Sequence, residues 1–185
     1  MKRRLLIMGF SIAAITFALF GCGYHFNLSG SSLRGGLHSL AIPTLDSRAT
    51  VQGLEADFTN IIRKEFSSHS TIALVTVKDA SAVLVGRIER IETSPLSYDI
   101  QESSVGGKTV SYELTNLRRI KVKLSMKMVR RDTGEILWEE KGMEEKASYS
   151  ASNDPIETSY REKIALRQIA EQLAKRVYLK TVDTF

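Results

Sequence analysis

A single cysteine, three prolines and three histidines in 185 residues leave several protein classes without material. One thiol cannot build a disulfide scaffold, and no two histidines are spaced as ligands on one helix face, so a structural zinc site lacks its ligands. Three prolines and twelve glycines are too few for a low-complexity chain. A second long apolar run is also missing. The only one, residues 5–20, has sixteen uncharged residues, short of the roughly 20 a spanning helix needs, which excludes a polytopic membrane protein. What is present is 43% hydrophobic and 25% charged residues, suited to a packed core.

Lys2, Arg3 and Arg4 precede that apolar run and Gly21-Cys22 follows it, the layout of a secretory signal. Leu19-Phe20-Gly21-Cys22 resembles the lipobox of bacterial lipoproteins, in which the thiol takes up diacylglycerol and the chain is cut before it. The resemblance implies a signal peptide over 1–21, removed, and a mature chain opening on acylated Cys22. Gly23 stands where an inner-membrane retention Asp would be, which favours outer-membrane sorting. Several acyl chains anchor stably where one is marginal. Removal of 1–21 takes three cations with it and leaves 23 basic against 21 acidic residues. A nucleic-acid partner, which needs a basic field over the folded domain, loses its support.

Residues 22–36 read as a lipidated N-terminus and spacer, and 37–185 as one α/β sandwich domain. A strand is expected at 39–42, ended by Pro43, and a loop over 44–50. A helix follows, carrying Val51, Leu54, Phe58, Ile61, Ile62 and Phe66 on one stripe. A short strand near 72–77 precedes one at 82–92, buried on both faces at Val83, Leu84 and Val85 and interrupted by Pro95. Residues 110–128 alternate strictly, apolar at even positions and basic at Arg119, Lys121, Lys123 and Lys127, with a bend at 115–118 where the apolar face is broken. Asp132-Thr133-Gly134 is a three-residue hairpin turn leading into a return strand. Asp154 caps a last helix over 155–179 that opens on Pro155. The fold class is α+β: two helices packed on one face of a four- to five-stranded mixed, mostly antiparallel sheet. The other face is left for solvent or a partner.

Catalytic signatures are weak. Gly106-Gly107-Lys108-Thr109 ends like a phosphate-binding loop, but Glu102 stands where its first glycine belongs and a strand follows instead of a helix. His25, His38 and His69 accompany no Gly-x-Ser-x-Gly elbow, and no cofactor beyond the covalent lipid at Cys22 is expected. Glu139, Glu140, Glu144 and Glu145 suit cross-strand pairing better than acid–base work. The turn sets Lys127 against Glu139, Lys121 against Glu145, Met128 against Trp138, Lys123 against Met143 and Arg119 against Ala147. The basic residues left without an acid opposite are Lys108, Arg118, Arg119 and Lys123, and they are the candidates for an anionic amphiphile. A solvated charged face carries equal weight.

Four stretches together resemble the lipopolysaccharide-assembly lipoprotein family LptE, partner of the outer-membrane barrel LptD. They are Cys22-Gly23-Tyr24-His25-Phe26, Leu40-Ala41-Ile42-Pro43, Thr109-Val110-Ser111-Tyr112-Glu113 and Ile169-Ala170-Glu171-Gln172-Leu173. The resemblance implies a non-enzymatic lipoprotein of the outer membrane, its domain on the periplasmic side within the lumen of an LptD-like barrel. It implies that the domain plugs the barrel, helps assemble it and binds lipopolysaccharide in transit. The family's basic contact positions do not transfer one by one, so Lys108, Arg118, Arg119 and Lys123 stand as a local assignment. The competing reading is an outer-membrane lipoprotein adaptor of another envelope machine without lipopolysaccharide binding; a hydrolase ranks below both.

Overall fold

The computed structural model describes residues 37–48, 53–70, 72–105 and 108–183, with side chains described outside 99–115. The signal segment, Cys22, the 22–36 spacer, Val51 and the Gly106-Gly107 tip lie outside the described residues. In chain order the elements are β1 (Ser39–Ala41), β2 (Asp46–Ser47), α1 (Leu54–His69), β3 (Ala73–Leu74), β4 (Ala82–Val105), β5 (Lys108–Arg130), β6 (Ile136–Ser150) and α2 (Pro155–Asp183). The sheet runs β3-β1-β4-β5-β6, with β2 also on β4. Pairings among β1 to β4 are parallel, and β4, β5 and β6 form an antiparallel meander.

The α+β class with a mixed sheet matches the sequence expectation, with six strands where four to five were expected. The extra one is β2, inside what reads as a loop. Two residues carry no periodicity, and β2 is held by its register with Arg87 and Ile88 and by the Arg87–Asp46 ion pair at 3.2 Å.

Alternation in β5 decides which face is covered. Ile120, Val122, Leu124, Met126 and Met128 are buried and join one core with Phe58, Ile62 and Phe66 of α1 and Ile169, Leu173 and Val177 of α2. Each of these large side chains contributes about 1.5–3 kcal/mol on leaving water. The helices are clasped to each other and to the loops. Phe66 and Tyr178 meet edge to face at 5.4 Å, and the Tyr178 hydroxyl donates to the His69 carbonyl at 2.7 Å. Arg63 of α1 donates to the Ile42 carbonyl through Nε at 2.9 Å and Nη2 at 2.6 Å, closing off β1 just before Pro43. At the start of α2 the Asp154 carboxylate accepts from the Ile156 amide at 2.8 Å, the cap its sequence announces.

Three local expectations are corrected. Pro95 does not interrupt β4: beyond Ile88 no described strand lies on the outer side of β4, so a proline is tolerated there, and register shifts at Pro95/Ser97 and Ser97/Tyr98 absorb it. They meet the expected irregularity of β5, where the Ser97 hydroxyl reaches Asn116 Oδ1 at 2.5 Å. Val83 and Val85 are half-buried, so the start of β4 is covered on the Leu84 side only. The β5–β6 loop has five residues, 131–135, instead of three: Arg130 N donates to Glu135 O at 2.8 Å and Gly134 N to Arg130 O at 2.9 Å, with Gly134 at φ 71°.

Candidate functional site on the open face of the sheet

No helix among the described residues covers the face formed by the odd-numbered residues of β5. A shallow concavity of about 890 Å³ lies on it, lined by six basic side chains, Arg48, Arg87, Arg90, Lys123, Lys127 and Lys141, and three acidic ones, Asp46, Glu89 and Glu139. Its balance is positive although residues 22–185 are nearly neutral, with 23 basic against 21 acidic residues.

Ion pairing decides which of these charges are available. Arg48 pairs with Glu89 at 3.4 Å, Arg87 with Asp46 at 3.2 Å and Lys141 with Glu139 at 3.4 Å. Arg90 pairs with Glu92 at 3.0 Å, and Lys121 reaches Glu92 at 3.4 Å and Glu144 at 3.6 Å. A bonded Arg90 and a nearby Lys121 hold the Glu92 carboxyl below its ordinary value. Among the described residues, Lys123 and Lys127 in the concavity and Arg119 farther along β5 have no acidic partner.

The expected cross-strand pairs survive only near the turn. Met128 faces Trp138 and Lys127 faces Glu139 as expected, although Glu139 closes on Lys141 instead. Beyond them the register slips by one residue between Met126 and Leu124. Lys121 faces Lys146 and not Glu145, Lys123 faces Glu144 and not Met143, and Arg119 faces Ser148 and not Ala147. The cause is a bulge at Lys141 and Gly142, where Gly142 takes φ 75° and two residues of β6 stand against Ser125 alone. The slip reverses the faces of β6. Glu140 and Glu145 lie under α2 and pair with Arg176 at 3.8 Å and 3.6 Å, while Glu139 and Glu144 stay on the open face.

The four basic candidates therefore part company. Arg119 and Lys123 share the open face. Arg118 lies on the helix side, in register with the buried Tyr149, whose hydroxyl is pushed above its ordinary value by burial and by the Glu162 charge. Lys108 is in register with Val105 at the far end of the β4–β5 hairpin, fifteen residues and so about 50 Å from Lys123. Sequence reasoning passed over Lys127, taken as neutralised by Glu139, and Gly142, although a glycine inside a strand pattern is itself a bulge signal.

Fold and face define a class: a two-layer α+β module with its core on one side of the sheet and an uncovered charged face on the other. The LptE family, described as lipopolysaccharide-assembly, matches residues 37–181, and the chain belongs to it. That family comprises envelope lipoproteins that work with LptD and lipopolysaccharide, and the role of this chain lies in lipopolysaccharide assembly. No curated protein matches it in sequence. Among solved structures, the rare lipoprotein B from Shewanella oneidensis is similar at 15% identity, with 79% of this chain and 95% of that one covered and a TM-score of 0.48. The hypothetical protein CT253 from Chlamydia trachomatis is 12% identical over 77% of this chain and 96% of its own, TM-score 0.49. The PelC dodecamer from Paraburkholderia phytofirmans is 12% identical over 78% and 88%, TM-score 0.44. No helix among the described residues is long and apolar enough to cross a membrane.

Proposed function

We propose that this chain binds lipopolysaccharide on the open face of its sheet and acts as the lumen-filling partner of an LptD-like outer-membrane barrel whose assembly it supports. Acyl chains at Cys22 tether it to the outer membrane, with the domain on the periplasmic side. No catalytic step is assigned to it.

The observation that carries the binding reading is the pair of lysines, Lys123 and Lys127, that line a net-positive concavity without an acidic partner. An ammonium on a flexible stem is a compact donor for phosphate, and a phosphorylated glycolipid presents such anions at a membrane surface. The hydrophobic effect gives no reason for cations at these positions: they face away from the core. Arg119 extends the row. Lys108 and Arg118 belong to the proposal as flanking positions, each to be replaced singly because neither shares the concavity.

The test is the triple variant Arg119→Ser, Lys123→Ser and Lys127→Ser, titrated with lipid A at two ionic strengths. Exposed side chains at these positions leave the fold intact, so the circular dichroism spectrum stays unchanged. Affinity falls and its salt dependence flattens if the reading holds. Unaltered affinity with unaltered salt dependence sinks it.

A further inference from the structure

Gly142 does more than end one stretch of alternation. Its amide donates to the Ser125 hydroxyl at 3.3 Å, and its left-handed backbone, φ 75°, is the bulge that shifts β6 against β5. A side chain at this position would collide with one particular neighbour: an ideal Cβ would stand 2.6 Å from Lys123 Cε, 3.4 Å from Nζ and 3.9 Å from Cδ. The Lys123 stem thus crosses β6 at a residue that has no side chain. Both residues line the concavity.

This placement explains a paradox of the register. Lys123 stands opposite Glu144, at a position where cross-strand ion pairs form, and yet the Glu144 carboxylate turns to Lys121 at 3.6 Å. With its stem laid over Gly142, the Lys123 ammonium lies beside the bulge, 3.4 Å from where a Cβ would stand, and makes no ion pair with Glu144, with which it shares a smaller neighbouring hollow. We propose that Gly142 is the positioning residue of the open-face site: by lacking a side chain in a left-handed bulge, it fixes the Lys123 ammonium in the concavity. The consequence for binding rests on the function proposed above; the positioning does not.

The clash falls on the far end of a flexible side chain, so a substitution at 142 displaces Lys123 and leaves the strand in place. Asparagine tolerates the left-handed backbone and still brings a Cβ, which makes Gly142→Asn the informative variant. The experiment compares the wild-type full chain, Gly142→Asn, Lys123→Ala and the double variant in detergent. Each is read by the lysine Cε signals in a 13C-lysine-labelled spectrum and by affinity for lipid A. In Gly142→Asn the Lys123 Cε signal moves while those of Lys121 and Lys127 stay. Lipid A binding weakens roughly fivefold in Gly142→Asn and in Lys123→Ala, the size expected for one exposed charge-assisted contact, and the double variant is no weaker than Lys123→Ala. An unmoved Lys123 signal overturns the positioning, and so does a loss from Gly142→Asn that adds in full to that of Lys123→Ala. Wild-type affinity in Lys123→Ala overturns the open face as the lipid A site, and the Lys123 signal alone then decides the role of Gly142.

Discussion

Lys127 and Glu139 stand directly opposite each other across β5 and β6, yet the Glu139 carboxylate closes on Lys141 at 3.4 Å and leaves the Lys127 ammonium without an acid. Pairing along one strand thus outcompetes pairing across two, and a positive charge remains in the concavity. Exposed ion pairs are weak, about 0.2–1 kcal/mol, so the effect on a ligand is modest and of definite sign. Glu139→Gln raises affinity for lipid A roughly two- to fivefold and Lys127→Ala lowers it by a similar factor, on the same energy scale. Calorimetric titration checks both, and a loss of affinity in Glu139→Gln contradicts the charge argument.

Arg176 is the tie between α2 and β6. It meets Glu140 at 3.8 Å and Glu145 at 3.6 Å and donates to the Glu144 carbonyl at 3.0 Å, spanning the bulge from the helix side. Arg176→Ala leaves Glu145 without its partner and Glu140 with Lys180 alone, at 3.2 Å. A loss of about 1–2 kcal/mol in urea unfolding is expected, smaller at high salt. Arg176→Lys recovers only part of it, because an ammonium lacks the fork that reaches both acids.

Tyr178 contributes to the loss of stability at alkaline pH. Burial, with the Glu65 charge behind it, raises its hydroxyl above the ordinary 10.0. A raised folded value means that its contribution is complete below pH 10.0 and is lost as pH climbs through the higher folded value, because the unfolded chain ionises first. Tyr178→Phe removes the hydrogen bond to the His69 carbonyl at a cost of about 1 kcal/mol near neutrality and flattens the fall in stability above pH 10. Thermal melts from pH 8 to 11 read this directly.

Two carboxylates contribute to the loss of stability in acid. Bonds to Ser152 and Arg161 hold Glu157 below the ordinary 4.5, as Arg90 and Lys121 hold Glu92. Depressed folded values give stability that is present above pH 4.5 and is lost as pH falls through the lower folded values. Glu92→Gln and Glu157→Gln together flatten the stability profile on the acid side of 4.5. A steepening there would contradict the signs.

The long-period signals in the sequence were enough to read the layers. The even-position apolar row of β5 is the sheet's buried face, and the Phe58, Ile62 and Phe66 stripe faces the core as its 3.6-residue spacing requires. Gly134 takes the left-handed turn position expected of it, and the irregularity expected near 115–118 is present. The site was less legible, for a physical reason. One inserted residue at Lys141 and Gly142 changes the partner of every cation beyond it, and alternation does not specify which residue of a strand will be the extra one. Hence alternation alone misassigns the partners of Arg119, Lys121 and Lys123, beyond the bulge, and gives those of Met128 and Lys127, before it, correctly. Arg118 and Arg119 are neighbours in sequence and so sit on opposite faces; grouping them by charge ignored the pleat.

We propose that this chain serves lipopolysaccharide assembly as the bound partner of a large outer-membrane barrel. The most direct test is purification of the full chain from detergent-solubilised outer membranes, with mass spectrometry of the accompanying protein, the bound lipid and the modification at Cys22. The expected result is a stoichiometric LptD-like barrel with lipopolysaccharide and an acylated Cys22. Recovery of the chain alone, or with the components of another envelope machine and no lipopolysaccharide, would contradict it.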